Sequence, residues 1–484
     1  MLRKNWKILL RIMGILLVGE GLLMMLCVGI GLYYAEADIM PFLFSALITL
    51  AVGVICVLFS PHKSGYIDKR MAYLIVTLVW VAMSLFGTLP FLATGTIDNF
   101  TDAFFEMMSG FTTTGATVFE DIEVLPKSLL FWRSLSQWIG GVGIVMLVLA
   151  IVPSLGINSY SLYSAELAGP LKDKTHNRVS ATVRNLWITY FVLTVLVFAF
   201  LWGGDMDFFS AIIHTFSAIS SGGFSIYNSS ISQLSPYSQY VLAVAMWLSG
   251  INLTLFYLFV RVKFSKLRSS LEQFFSYTCV FLLLALITTV VLNQTMEYDL
   301  PKAFRLAFVQ AASVVSTCGF VVDDTTQWVL PINFLFLIFC LRGGMAGSTS
   351  GGLKVMRVLI LEKNVRNVMR NRLHPNAVNP VRLNSKPVSD TVIYNVMTLF
   401  FVYCFTIVIA LFLLILDGVS TTEALGAVVG AITGYGPGLA ECGGFGNYAH
   451  FPIFSKWVLA FCMLAGRLEC ITVYMLFLPK FWKR

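Results

Sequence analysis

The chain has 484 residues, of which 57% are hydrophobic and only 12% charged, with a formal net charge of +8. Soluble domains carry about 25% charged residues, so water is not the main solvent for this chain. The basic excess gathers at both ends and in alternate loops, near 3–7, 63–70, 172–184, 261–268, 363–386 and 480–484; the loops between carry Glu120, Asp121, Glu123, Asp205, Asp207, Asp323, Asp324 and Glu441. That alternation reports membrane topology and excludes a nucleic-acid surface.

An apolar run of about 20 residues crosses a bilayer as a helix. Ten such runs fall near 8–34, 40–60, 71–93, 129–153, 185–203, 237–261, 273–293, 332–360, 392–416 and 455–479. The positive-inside rule places both termini and the basic loops in the cytoplasm, which ten spans satisfy. The first run is too long for a cleaved signal peptide. Trp202, Trp328 and Trp457 fall at or near span ends, where interfacial aromatic belts form.

The first two runs form an introductory pair over 1–65. After them one pattern recurs over 66–165, 166–268, 269–386 and 387–484: a long run, a short half-apolar segment, a hydroxyl- and glycine-rich loop, then a second long run. A recurrence roughly every 100 residues marks an internal repeat. The loops are Thr112-Thr113-Thr114-Gly115-Ala116-Thr117, Ile219-Ser220-Ser221-Gly222-Gly223-Phe224, Ser316-Thr317-Cys318-Gly319-Phe320-Val321 and Ile432-Thr433-Gly434-Tyr435-Gly436-Pro437. The segments before them predict helices over 101–112 (capped by Asp98 or Thr101), 207–219 (opened by Asp205 and Asp207), 302–315 (opened by Leu300-Pro301) and 421–432 (opened by Thr421-Thr422-Glu423). Helices of about three turns cannot cross a bilayer, so each enters partway and returns. Small residues and hydroxyls leave the following backbone extended, and inward carbonyls can replace the water shell of an alkali cation. The C-terminal ends of four short helices would add partial negative charge to one cavity.

Inside the eighth run Gly343, Gly344, Gly347, Gly351 and Gly352 alternate with Ser348, Thr349 and Ser350, and Lys354 closes the stretch. Gly343, Gly347 and Gly351 keep the spacing of a helix-packing face. Five glycines equally weaken a helix, at about 1 kcal/mol each, and favour a broken, intramembrane loop. Arg467 lies near the centre of the last run, where a charge costs about 3 kcal/mol and must face a cavity or a partner. Arg133 and Gln137 are placed so that either could brace the filter loops from behind, Glu469 pairs away from the helix face of Arg467, and Glu20 has no evident partner in the first run. The nine cysteines and five histidines form no metal-binding spacing. Cys318 lies within the third loop, where its carbonyl rather than its sulfur is the working part.

These residues resemble the TrkH-type subunit of the Trk/Ktr/HKT potassium transporters. The four loops carry the likeness, each with a candidate filter glycine: Gly115, Gly222 or Gly223, Gly319, and Gly434 or Gly436. It is also carried by the stretch from Phe131 to Gly143, by Gly343–Lys354 and by Gly466-Arg467-Leu468-Glu469. The resemblance covers essentially the whole chain. It implies an all-α polytopic membrane protein with four membrane–pore-loop–membrane repeats of pseudo-fourfold symmetry, preceded by two extra helices. The implied filter residues are Thr113, Thr114, Gly115, Ile219, Ser220, Ser221, Gly222, Gly223, Ser316, Thr317, Cys318, Gly319, Thr433, Gly434, Tyr435 and Gly436. The implied gate is Gly343, Gly344, Gly347, Ser348, Thr349, Ser350, Gly351, Gly352, Lys354 and Arg467.

By the same resemblance the function is potassium uptake across a bacterial cytoplasmic (inner) membrane, with both termini cytoplasmic. A potassium ion would occupy the filter and no cofactor would be covalently bound. The implied partners are a second copy in a homodimer, the lipid bilayer and a cytoplasmic RCK-type nucleotide-binding subunit, with no nucleic acid. Nucleotides would belong to that subunit, since no GxGxxG-plus-strand pattern occurs in this chain. Serine at the first filter glycine tends toward sodium in the family, and glycine in all four loops favours potassium. A sodium- or proton-coupled symporter with alternating access is the competing reading. A membrane enzyme would need a nucleophile, base or metal cluster, and none stands out.

Overall fold

The protein is described by a computed structural model over residues 2–37, 39–60, 68–143, 179–260, 271–375, 379–384 and 386–483. The basic clusters near 63–67, 172–178 and 261–268, and the part of the 129–153 run after 143, lie outside the described residues. Among the described residues, six helices are long and apolar enough to cross a membrane: Trp6–Tyr33, Ile39–Leu58, Arg70–Ala93, Val183–Trp202, Leu271–Thr295 and Asp390–Leu416. Their backbone bonds close within each helix, which is what hydrocarbon demands. The one strand pair among the described residues, Arg382–Leu383 with Lys386–Pro387, is a short antiparallel clasp.

The first two helices form the introductory pair. They cross closely because glycines face each other: a Cβ on Gly14 would stand 2.8 Å from the Gly53 carbonyl, and one on Gly53 would stand 2.7 Å from the Val18 amide. Small residues at a crossing let two backbones approach in lipid. The pair covers the first long helix of the repeats, whose most apolar stretch is 67% buried against 28 to 39% for the other three.

Each repeat then runs from a long helix through a short helix and its loop to a second helix. The long helices are Arg70–Ala93, Val183–Trp202, Leu271–Thr295 and Asp390–Leu416. The short helices are Phe100–Phe111, Phe208–Ser220, Leu300–Ser316 and Thr421–Thr433. Their N-termini are fixed locally. Asn99, rather than Asp98 or Thr101, accepts from the Thr101 amide at 3.0 Å. Asp207 accepts from Phe209 and Ser210, both at 3.1 Å. Pro301 lies in the first turn of the third, and Ser420 caps the fourth by accepting from Glu423.

The second helices are the interrupted ones. The first ends at Val142, with Gly143 at φ +98°. The second breaks between Ser249 and Leu253 and bends by 94°. The third stops at Arg342 and resumes at Val355. The fourth breaks between Arg467 and Ile471 and bends by 110°. The single runs 237–261, 332–360 and 455–479 are therefore each two helices, because hydropathy averages across a few residues that leave the helix. Trp328 also departs from the interfacial expectation: it is buried, and its indole donates to Asp323 at 3.0 Å.

Candidate functional site

The C-terminal ends of the four short helices are built alike. Thr113, Ser221, Thr317 and Gly434 take the left-handed conformation, with φ of 56°, 59°, 54° and 69°. Their amides donate to Gly110, Ala218, Val314 and Ala431 at 3.0 to 3.3 Å. The next amides, of Thr114, Gly222, Cys318 and Tyr435, donate to Ser109, Ser217, Ser313 and Gly430 at 2.8 to 3.0 Å. This is the usual way a helix satisfies its last carbonyls before the chain turns. Glycine is the expected residue there, yet two of the four are β-branched threonines, at a cost of roughly 1 kcal/mol or more each. Strain held at two equivalent places points to a function for the hydroxyl.

Two residues further on, the loops meet. Gly115, Gly223, Gly319 and Gly436 share φ between 78° and 90°. A Cβ on Gly115 would lie 2.2 Å from the Gly222 carbonyl oxygen; on Gly223, 2.2 Å from that of Cys318; on Gly319, 2.1 Å from that of Tyr435; on Gly436, 2.3 Å from that of Thr114. Each glycine thus packs on the carbonyl before the glycine of the next repeat, and the circuit closes from the fourth repeat to the first. Two registers left open in the sequence are settled geometrically: Gly223 and Gly436 occupy the ring position of Gly115 and Gly319. Gly222 lies one residue earlier, and Gly434 is the left-handed cap. Ile219, Ser220, Ser316 and Thr433 belong to the last turns of their helices.

Side chains behind the ring hold it. Nine residues before each ring glycine stand Glu106, His214, Gln310 and Ala427. Glu106 accepts from the Val118 amide at 2.9 Å, Gln310 from Val322 at 3.3 Å, and His214 bonds the Ser225 hydroxyl at 3.1 Å. Where the fourth copy has alanine, Tyr448 donates to the Gly436 carbonyl at 2.7 Å instead. Arg133 pairs with Glu106 at 2.8 Å, both almost fully buried, and lies over the Phe224 ring. Gln137 donates to the Gly222 carbonyl at 2.7 Å and accepts from the Phe224 amide at 3.2 Å. Two side chains of the first repeat therefore fix the loop of the second. Sequence reasoning missed the polar position on the short helices, although its constant distance from the ring glycine was legible.

On one side of the ring opens a vestibule, lined by residues that follow the glycines, including Ala116, Glu120, Val321 and Asn447. On the other side lies the 343–354 segment. Its backbone pairs with the break in the second repeat: Met345 donates to Gly250 at 2.9 Å and Leu253 to Gly347 at 3.1 Å. Two interrupted helices thus satisfy each other, as buried irregular backbone must. The segment also folds on itself, with Ser350 accepting from the Gly344 amide and Ser348 bonding Ser350. Gly343 and Gly352 face each other, and Lys354, buried at φ +72°, donates to the Ser350 carbonyl. Arg467 donates to the Thr349 carbonyl at 2.9 Å, and to Gly140 and Gly141 at 2.5 and 2.9 Å. Glu469 pairs with Arg357 at 2.5 Å.

The remaining singled-out groups are placed as follows. The Cys318 sulfur is buried, 3.7 Å from the Ser217 carbonyl. Glu20 is buried beside Gly87, and neither carboxylate oxygen has a hydrogen-bond partner among the described residues. His450, scattered in the sequence, meets Glu423 at 2.7 Å and Glu441 at 3.8 Å. Glu423 completes the cap of its own helix through Ser420.

The family described as "TrkH: Cation transport protein" matches residues 42–484. The Trk system potassium uptake protein TrkH of Salmonella typhimurium is 35% identical over 483 residues, 99% of this chain and 100% of that protein. The protein of the same name from Halomonas elongata is 35% identical, with 99% of both chains covered. The crystal structure of the potassium transporter TrkH from Vibrio parahaemolyticus superposes with a TM-score of 0.89 at 31% identity, covering 99% of this chain and all of that one. The chain belongs to the TrkH cation transport family.

Proposed function

We propose that this family member takes up potassium through a channel-like pore whose selectivity filter is the ring at Gly115, Gly223, Gly319 and Gly436. As a cation transport protein it is a membrane transporter and not an enzyme. The observation that carries the reading is the closed circuit of glycine against carbonyl through all four repeats. Carbonyls at one level can exchange for the hydration shell of an alkali ion, and the four helix C-termini behind them favour a cation. Thr114, Gly222, Cys318 and Tyr435 supply one carbonyl layer. Thr113, Ser221, Thr317 and Gly434, with the helix ends at Ile219, Ser220, Ser316 and Thr433, form the next layer inward.

The gate is the 343–354 loop, held across the pore by Arg467. It lies on the cytoplasmic side of the filter, with the vestibule outside and both termini inside a bacterial inner membrane. Each copy of a homodimer carries its own pore. An RCK-type subunit would act on the loop through the basic helix Val355–Leu373.

Reconstituted in liposomes, the protein should take up rubidium with sodium a poor competitor and without need of an imposed sodium or proton gradient. Uptake that follows such a gradient in fixed ratio would support alternating access instead. Equal uptake of sodium would remove the potassium assignment. Arg467→Ala should raise basal uptake, and unaltered or lower uptake would remove the gate.

A further inference from the structure

The 343–354 loop touches the second, third and fourth repeats, and Thr349 carries several of those contacts. Its hydroxyl lies 3.1 Å from the Ile219 carbonyl and 3.1 Å from the Ser249 carbonyl, and 2.8 Å from the Ser221 hydroxyl. Ser221 also bonds the Ser249 hydroxyl at 3.1 Å. The Thr349 carbonyl accepts from Arg467. Two residues on, the Gly351 amide donates to the Thr317 hydroxyl at 2.7 Å, and Gly351 packs on the Thr433 carbonyl.

Ser221 and Thr317 are two of the strained left-handed residues directly beneath the ring. Their hydroxyls, which a pore would leave for water or a passing ion, are instead occupied by the loop. Thr349 is 2% exposed, so these bonds are not exchanged for water while the loop is seated. Arg467 holds the loop through its backbone, which any residue at 349 would offer. The side-chain bonds need a hydroxyl at that position.

We infer that the Thr349 hydroxyl is a latch that seats the loop against the inner face of the second-repeat filter strand, through Ser221 and the Ile219 carbonyl. The inference rests on the gate reading above and assigns the side-chain specificity of closure. Thr349 is a positioning residue: it carries no ion and acts through where the loop sits. Opening then breaks a small set of hydroxyl bonds, and Ser221 and Thr317 are returned to the pore together.

Thr349→Val keeps shape and removes the hydroxyl. Loss of one buried hydrogen-bonded hydroxyl shifts a two-state equilibrium by roughly five- to tenfold, so basal rubidium uptake should rise by about that factor. Thr349→Ser should restore the wild-type rate, and the rubidium-to-sodium ratio should stay unchanged in both. Ser221→Ala should also raise uptake, and adding it to Thr349→Val should give little more. The latch is overturned if Thr349→Val leaves uptake at the wild-type level while Arg467→Ala raises it. If neither raises uptake, the gate reading itself fails. A changed ion ratio in Thr349→Val would also overturn the latch, by placing Thr349 in the filter. Should Thr349→Val not fold, Thr349→Ala, which removes the same hydroxyl, decides in the same way.

Discussion

Within each repeat the long first helix and the broken second helix obey different rules. Val183–Trp202, Leu271–Thr295 and Asp390–Leu416 are uninterrupted, and most of their side chains are at least partly exposed. Every second helix ends or breaks within the described residues: at Gly143, between Ser249 and Leu253, at Gly343–Lys354, and between Arg467 and Ile471. A helix that faces lipid has no other partner for its amides and carbonyls, so it cannot break. A helix that faces the ring can, because the neighbouring break supplies the bonds, as Gly250 and Gly347 do for Met345 and Leu253. Among the described residues, the breaks in these helices thus lie on the side where the cation would pass.

Substitutions can break that comparison, and the largest effect belongs at the ring. Gly319→Ala places a Cβ 2.1 Å from a backbone carbonyl at φ +90°, with no flexible side chain to yield. Rubidium uptake should fall by a hundredfold or more, whereas Phe412→Ala on the exposed face of a long helix should leave it near wild type. Equal effects at the two positions would dissolve the distinction. Serine at Gly115 or Gly319 meets the same carbonyl, so sodium preference is expected only with visible loss of total flux.

Next in size is the buried pair behind the ring. Arg133→Gln leaves Glu106 buried without its charge partner, a loss of about 3 to 5 kcal/mol. The melting temperature in detergent should drop clearly, and uptake with it. An unchanged melting temperature would mean that the pair does not hold the ring in place.

A smaller effect sharpens the same point. Gln137→Leu removes two hydrogen bonds to the second loop, each worth about 1 kcal/mol, without leaving a charge behind. Discrimination between rubidium and sodium should weaken several-fold while the protein stays folded. No change in discrimination would show that the second loop keeps its shape without this support. The half-buried pair Lys363–Glu272, about 30% accessible on both sides, should matter least. Such pairs give about 0 to 1 kcal/mol, and Glu272→Gln should leave stability within that margin.

Much of this arrangement was legible in the sequence because its signals are local. Four hydroxyl-and-glycine loops, each behind a short capped segment, specify four re-entrant turns without any knowledge of neighbours. The long helices are legible from hydropathy alone. The ring register was not, because loop two offers Gly222 beside Gly223 and loop four offers Gly434 and Gly436. The choice depends on which glycine meets a carbonyl from another repeat, and no local pattern encodes that. The breaks near Gly250 and Leu468 were hidden by apolar flanks, although Asn252 and Glu469 interrupt their runs. The bracing role of Glu106, His214 and Gln310 was hidden for a different reason. Each looks like an isolated polar residue until the four copies are aligned on the ring glycine.

The most direct test is an anomalous-scattering map of the protein crystallised in rubidium. A peak is predicted on the shared axis, enclosed by the carbonyl oxygens of Thr114, Gly222, Cys318 and Tyr435. A peak held by carboxylates such as Glu106 or Glu120, with none within the ring, would contradict the account.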